Sequence, residues 1–91
     1  MFYLVSYDIP DDKRRQKIAK ILLDFGDRVQ YSVFEAILTG ELLEKMVARL
    51  KEFVSEKEDS IRIYRLCAEC KKEIDILGCG EVSEDKDVYI L

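Results

Sequence analysis

RVQYSVFEAIL, Arg28 to Leu38, is the stretch on which the fold turns. It is dense in β-branched and aromatic residues, yet too long for one plain strand when the usual length is about 5–6 residues. Ser32 marks a bulge or bend within it, which predicts two short strands in succession, and Thr39 and Gly40 break the run.

Upstream, FYLVSYDI (Phe2 to Ile9) reads as a short, central opening strand, stopped by Pro10 and Asp11. Asp11 or Asp12 then caps a helix whose apolar residues Ile18, Ile21, Leu22 and Phe25 recur at helical spacing, with Gly26 as the stop. Downstream, a second helix from about Glu41 to Val54 carries a wide apolar stripe that includes Leu42, Met46, Leu50 and Phe53. The polar link SEKEDS leads to SIRIYRL, which alternates with period two. Ile61 and Ile63 fall on one face; Arg62, Tyr64 and Leu66 fall on the other. EIDIL (Glu73 to Leu77) and DVYIL (Asp87 to Leu91) read as two further strands, the last pairing at an edge outside the domain.

The order strand, helix, strand pair, helix, strand is the βαββαβ pattern of an α+β domain, with an antiparallel sheet and both helices on one face. Apolar residues on both faces of the strands predict that a second copy covers the other face, giving a two-fold homodimer packed through its sheets. A length of 91 residues fits one domain spanning 1–91, with 87–91 as a dimer-pairing C-terminal strand. There is no internal repeat or low-complexity tract.

Composition narrows the function. The apolar fraction of 48% predicts a folded chain, and no apolar run approaches the roughly 18 residues of a membrane span. The start MFYLVSYD lacks the basic and long apolar regions of a secretory leader, so a cytoplasmic protein without membrane association is expected. A net charge of −4 argues against a general nucleic-acid binder. The distribution qualifies that, because residues 1–28 carry six bases against five acids and residues 29–91 nine against fourteen. Any basic surface belongs to the first helix and its neighbours. With no histidine, imidazole acid–base catalysis and histidine zinc ligation are excluded, and an enzyme must use carboxylates, hydroxyls, thiols or metal-bound water.

Asp8 lies at the carboxyl end of the first strand. It reads either as a turn or capping aspartate or as a metal ligand. One carboxylate holds magnesium poorly, since the ion takes about six oxygens. Two copies of Asp8 near a dimer axis would clamp one ion between them. Lys13, Arg14, Arg15 and Lys17 sit early in the first helix, the less favourable end for cations, so helix stability does not account for them. They form a solvated face or reach phosphate. Arg28 opens the next strand on the same side, with Gln30, Tyr31 and Ser32 as nearby donors, and Phe34 is either core or a base-stacking ring. CAEC, Cys67 to Cys70, has a third cysteine at Cys79. Redox pairs sit at a helix start after a strand, whereas this segment is expected in a loop, so structural cysteines are preferred over a disulfide, and zinc comes last.

YDIPDD (7–12), Gly26 with RVQYSVFE (28–35), and DSIRIYRL (59–66) resemble the small CRISPR-associated nuclease family, the partner of the CRISPR integrase in spacer acquisition. The resemblance runs in order over nearly the whole chain. It implies a ferredoxin-like homodimer with an added C-terminal strand, Val88 to Leu91, that pairs with the partner subunit. Asp8 matches the family's magnesium-binding aspartate and Tyr7 its preceding tyrosine. Arg15, Arg28, Ser32 and Phe34 match positions associated with activity or nucleic-acid handling, and Lys17 stands where some members carry another arginine. The implied activity is Mg2+-dependent endonuclease cleavage of single-stranded RNA or double-stranded DNA. Catalysis would involve Asp8, Arg15, Arg28 and Ser32; nucleic-acid contact would involve Tyr7, Arg14, Arg15, Lys17, Arg28 and Phe34. The alternative is a non-catalytic scaffold that bridges integrase dimers and binds duplex DNA. The cysteines are not a signature of that family. A third class, an RNA-recognition module, would need exposed aromatics such as Tyr3, Phe34 and Tyr64 on the sheet.

Overall fold

A computed structural model describes residues 1–84; the expected strand at 87–91 lies outside them. The elements are β1 (Phe2–Asp8), α1 (Asp12–Leu23), β2 (Asp27–Gln30), β3 (Val33–Ile37), α2 (Gly40–Lys51), β4 (Ser60–Leu66) and α3 (Ala68–Lys72). The sheet order is β2-β3-β1-β4 with every neighbouring pair antiparallel, the ferredoxin-like arrangement.

RVQYSVFEAIL divides as its length demands. Tyr31 and Ser32 form the turn between β2 and β3, and the register shifts between Arg28 and Gln30, so Val29 is the bulged residue. No non-glycine residue among those described has positive φ, so this two-residue turn is not of the primed type that suits twisted hairpins. The bulge adds the twist that the turn lacks.

Both helices start on side-chain caps. Asp11 accepts a hydrogen bond from the Arg14 N–H at 2.9 Å and Thr39 accepts one from the Leu42 N–H at 3.2 Å, satisfying donors that the helix itself leaves unpaired. Ile18, Ile21 and Leu22 of α1 and Met46 and Leu50 of α2 pack on Tyr3, Val5, Tyr7, Phe34 and Ala36 of the sheet. The alternation of β1 therefore sends Tyr3, Val5 and Tyr7 to the helices and leaves Leu4, Ser6 and Asp8 on the opposite face.

That opposite face is not wholly bare, contrary to the sequence expectation. Phe2 is buried on it, with the Lys71 ammonium of α3 lying 5.4 Å from its ring centroid. Farther along, the Ser83 N–H donates to Glu35 Oε1 at 2.9 Å and the Ser83 hydroxyl donates to Asp27 Oδ2 at 3.3 Å. The segment after β4 thus folds back over parts of the sheet. EIDIL is not a strand: α3 ends at Lys72 and the residues beyond are irregular. Its alternation was genuine, but a strand needs a partner edge, and none of the four strands pairs with it. The cysteine segment is corrected too, since CAEC lies at a helix start directly after β4, with Cys67 as the N-cap of α3.

One ion pair ties the start of α1 to the start of β4. The Arg14 guanidinium meets Asp59 through Nε at 2.9 Å and Nη2 at 3.1 Å and reaches Glu58 at 2.9 Å. The Asp59 side chain is fully buried and also accepts from the Ser55 N–H at 2.8 Å. The Arg14 hydrogen bonds hold the Asp59 carboxyl below its usual range, against the opposing effect of burial. A depressed carboxylate pKa stabilises the fold above the unfolded value of about 3.9 and loses that contribution as pH falls through the folded value. The Asp59→Asn protein is therefore expected to be less stable than wild type at pH 7, with the difference in urea midpoint shrinking below about pH 4. A difference that stays constant through the acid limb would contradict this linkage.

Candidate functional site

Asp8 ends β1 and is exposed on the face away from the helices. The β1–β4 register sets Asp8 opposite Ser60 and Ser6 opposite Arg62. These residues, with Tyr7, line one cleft of about 380 Å³. Arg62 is exposed and its Nη1 donates to the Tyr64 hydroxyl at 3.4 Å. The cleft therefore holds one carboxylate, two hydroxyls and one guanidinium. Sequence reading placed Arg62 on the face of Tyr64 but missed that it lines one cleft with Asp8, because strand pairing leaves no mark in either strand alone.

A second, more basic groove of about 460 Å³ lies on the other side of Tyr7, and its walls include Arg15, Lys20, Arg28, Tyr31 and Ser32. Arg15 folds back onto the loop that follows Asp8. Its Nη1 donates to the Ile9 carbonyl at 3.0 Å, and its guanidinium pairs with Asp12. Arg28 stands over the Phe34 ring at 5.2 Å from the centroid, which orients its cation without consuming a hydrogen-bond donor. The Tyr7 N–H bonds the Ser32 carbonyl at 3.1 Å and the Tyr7 hydroxyl donates to the Tyr31 carbonyl at 3.3 Å, so the β2–β3 turn is held against β1.

The remaining expected contacts are placed differently. Phe34 is 1% exposed and packs 6.2 Å from the Tyr7 ring, so it offers no free face to a base. This corrects its assignment as a nucleic-acid contact, because the alternation of β3 turns it toward the helices. Tyr7 is likewise buried, and Arg14 is engaged with Asp59 and Glu58. Lys17 turns toward the residues that follow α2, its ammonium 4.6 Å from the Phe53 ring centroid. The structure thus gathers Arg15, Arg28 and Ser32 on one side of Tyr7 and leaves Asp8 on the other.

A ferredoxin-like α+β domain with a lone exposed carboxylate at the end of β1 and a basic groove beside it defines the class. The family model for CRISPR associated protein Cas2 matches residues 1–74, and the chain belongs to that family. It is 46% identical over 93 residues to the CRISPR-associated endoribonuclease Cas2 1 of Chloroflexus aurantiacus, covering 100% of both chains. Its fold matches the crystal structure of Streptococcus pyogenes Cas2 at pH 6.5 with a TM-score of 0.76 and 37% identity, over 86% of this chain and 100% of that one. It also matches a chain of a partial Cas6-RT-Cas1–Cas2 complex, with a TM-score of 0.64 and 30% identity, over 84% of this chain and 89% of that one.

Proposed function

We propose that this protein is a metal-dependent endonuclease of CRISPR immunity that cleaves single-stranded RNA or double-stranded DNA and works with an integrase in spacer acquisition. The observation that carries the reading is Asp8, exposed at the end of β1 on the open sheet face with Ser6, Ser60 and Arg62 around it. The donors in this cleft are hard oxygens, which suit Mg2+ rather than a soft metal. No group of three or more acids and cysteines converges among the described residues, so one protomer supplies one anionic ligand. A second copy packed on the open face would supply the other Asp8.

A divalent ion held by Asp8 would supply charge neutralisation for a phosphodiester and a water of lowered pKa. The chain's own residues do the rest. Arg62, on the wall of the Asp8 cleft, would orient a phosphate there, while Arg15 holds the loop after β1 by its bond to the Ile9 carbonyl. Arg28, with Ser32, offers a backbone-tracking contact in the adjoining groove. No helix among the described residues is long and apolar enough to cross a membrane, and the proposed setting is the cytoplasm. The Cas1–Cas2 assembly of the structural relative supports an integrase partner.

A second reading is the non-catalytic scaffold, favoured by the solitary state of Asp8 in one protomer. The two separate on one experiment: labelled RNA and duplex DNA incubated with the protein in Mg2+ and again in excess chelator. The enzyme reading expects cleavage that the chelator abolishes. Intact duplex and integrase binding without cleavage in either condition would leave the scaffold.

A further inference from the structure

The segment CAEC is not used by the reading above. Cys67 ends the turn out of β4 and caps α3, and its Sγ accepts a hydrogen bond from the Cys70 N–H at 3.4 Å. Cys67 and Cys70 are both exposed, one at the cap and one in the first turn of α3, so the backbone bond to Cys67 Sγ sets the two residues of the pair at one end of the helix. Cys79 is exposed as well, but it joins no cluster with them among the described residues. Two accessible thiols across a two-residue spacer, the first bonded to the backbone N–H of the second, are a nucleophile with a resolving partner one helical turn on.

We infer that Cys67 and Cys70 form a thiol–disulfide exchange site that takes low-molecular-weight disulfides of the glutathione type. The Cys67 thiolate attacks one sulfur of the small disulfide, forming a mixed disulfide and releasing one thiol. Cys70 then loses its proton and attacks Cys67 Sγ, closing the intramolecular disulfide and releasing the second thiol. Two protein thiols are oxidised and one small disulfide is reduced to two thiols, so the step balances without another reactant. The order of attack follows from the surroundings. The Cys70 N–H, and after it the Cys70 thiol, hold Cys67 below the usual thiol pKa, whereas the same contact raises that of Cys70. Oxidation closes a ring where the chain leaves the sheet, next to the contact of Lys71 with Phe2.

The test is incubation of the full chain with oxidised glutathione near neutral pH, followed by peptide mass mapping under non-reducing conditions. Wild type and Cys79→Ser are expected to lose two hydrogen atoms through a Cys67–Cys70 disulfide that a reductant reverses. Cys70→Ser is expected to accumulate a glutathione adduct on Cys67, and Cys67→Ser to form no intramolecular disulfide. In limiting iodoacetamide, Cys67 should be alkylated about tenfold faster than Cys79. A disulfide involving Cys79, a persistent glutathione adduct in wild type, or equal alkylation of all three cysteines would overturn the assignment. All of these readouts are independent of nuclease activity.

Discussion

Cleavage of labelled RNA or duplex DNA is expected to fall about a thousandfold in the Asp8→Asn protein, while binding of the same substrates stays within about twofold of wild type. Asparagine keeps the size of aspartate and one carbonyl oxygen but removes the negative charge that a divalent cation requires. Asp8 is exposed at the strand end and its side chain makes no hydrogen bond among the described residues, so the substitution should leave the fold unchanged. Its effect would then be confined to chemistry. Arg28→Ala gives the complementary result, because Arg28 faces the groove beyond Tyr7 rather than the Asp8 cleft. Binding to duplex DNA should weaken, and the slope of log affinity against log salt should drop by about 1, the signature of one lost phosphate contact. Wild-type rates in Asp8→Asn would remove Asp8 from the chemistry. A salt slope unchanged by Arg28→Ala would remove the groove from the binding surface.

The largest effect on stability is expected at Gly26. A Cβ built there lies 2.2 Å from the Glu35 carbonyl oxygen and 2.9 Å from Ala36 Cβ. Both neighbours belong to β3, an inner strand paired with β1 and β2, so neither can move aside without disturbing the sheet. The Gly26 N–H also bonds the Leu22 carbonyl at 2.9 Å, which fixes the chain at the end of α1. Gly26→Ala should therefore cost about 3 kcal/mol, the upper part of the range for overpacking, and lower the urea midpoint by more than about 1 M. Gly40→Ala serves as the control. It opens α2 with nothing within 4 Å of the added methyl, and it is expected to be neutral or slightly stabilising. Equal midpoints for Gly26→Ala and wild type would mean that α1 and β3 separate more readily than their packing suggests. The position also matters for function, since Gly26 leads directly into β2 and so sets where Arg28 enters the groove.

The resemblance to the family singled out Asp8, Arg15, Arg28 and Ser32, but how they are grouped followed from the fold. Asp8 and Arg15 are seven residues apart yet line different grooves, whereas Arg62 reaches the Asp8 cleft from 54 residues away. The burial of Phe34 shows the same limit. An aromatic residue in a strand has one of two faces, and only the packing of α1 and α2 says which is covered. Arg14, read as one cation in a basic run, has its donors taken by Asp59 and Glu58, acids that the sequence places in a polar link.

Sequence alone determined the succession of elements from β1 to β4, the break within RVQYSVFEAIL, a capping aspartate at the start of α1 and the position of Asp8 at a strand end. Each of these depends on residues within one or two turns of one another, through alternation, helical spacing or a local side-chain bond. Tertiary structure decided which residues meet. The β1–β4 register set Ser60 opposite Asp8 and brought Arg62 into the same cleft opposite Ser6, the approach of α1 to β3 required Gly26, and the turn out of β4 made CAEC a helix start. EIDIL had the pattern of a strand but no edge to join. A pattern specifies which side of an element is apolar, while pairing and register come from burying that side against distant parts of the chain.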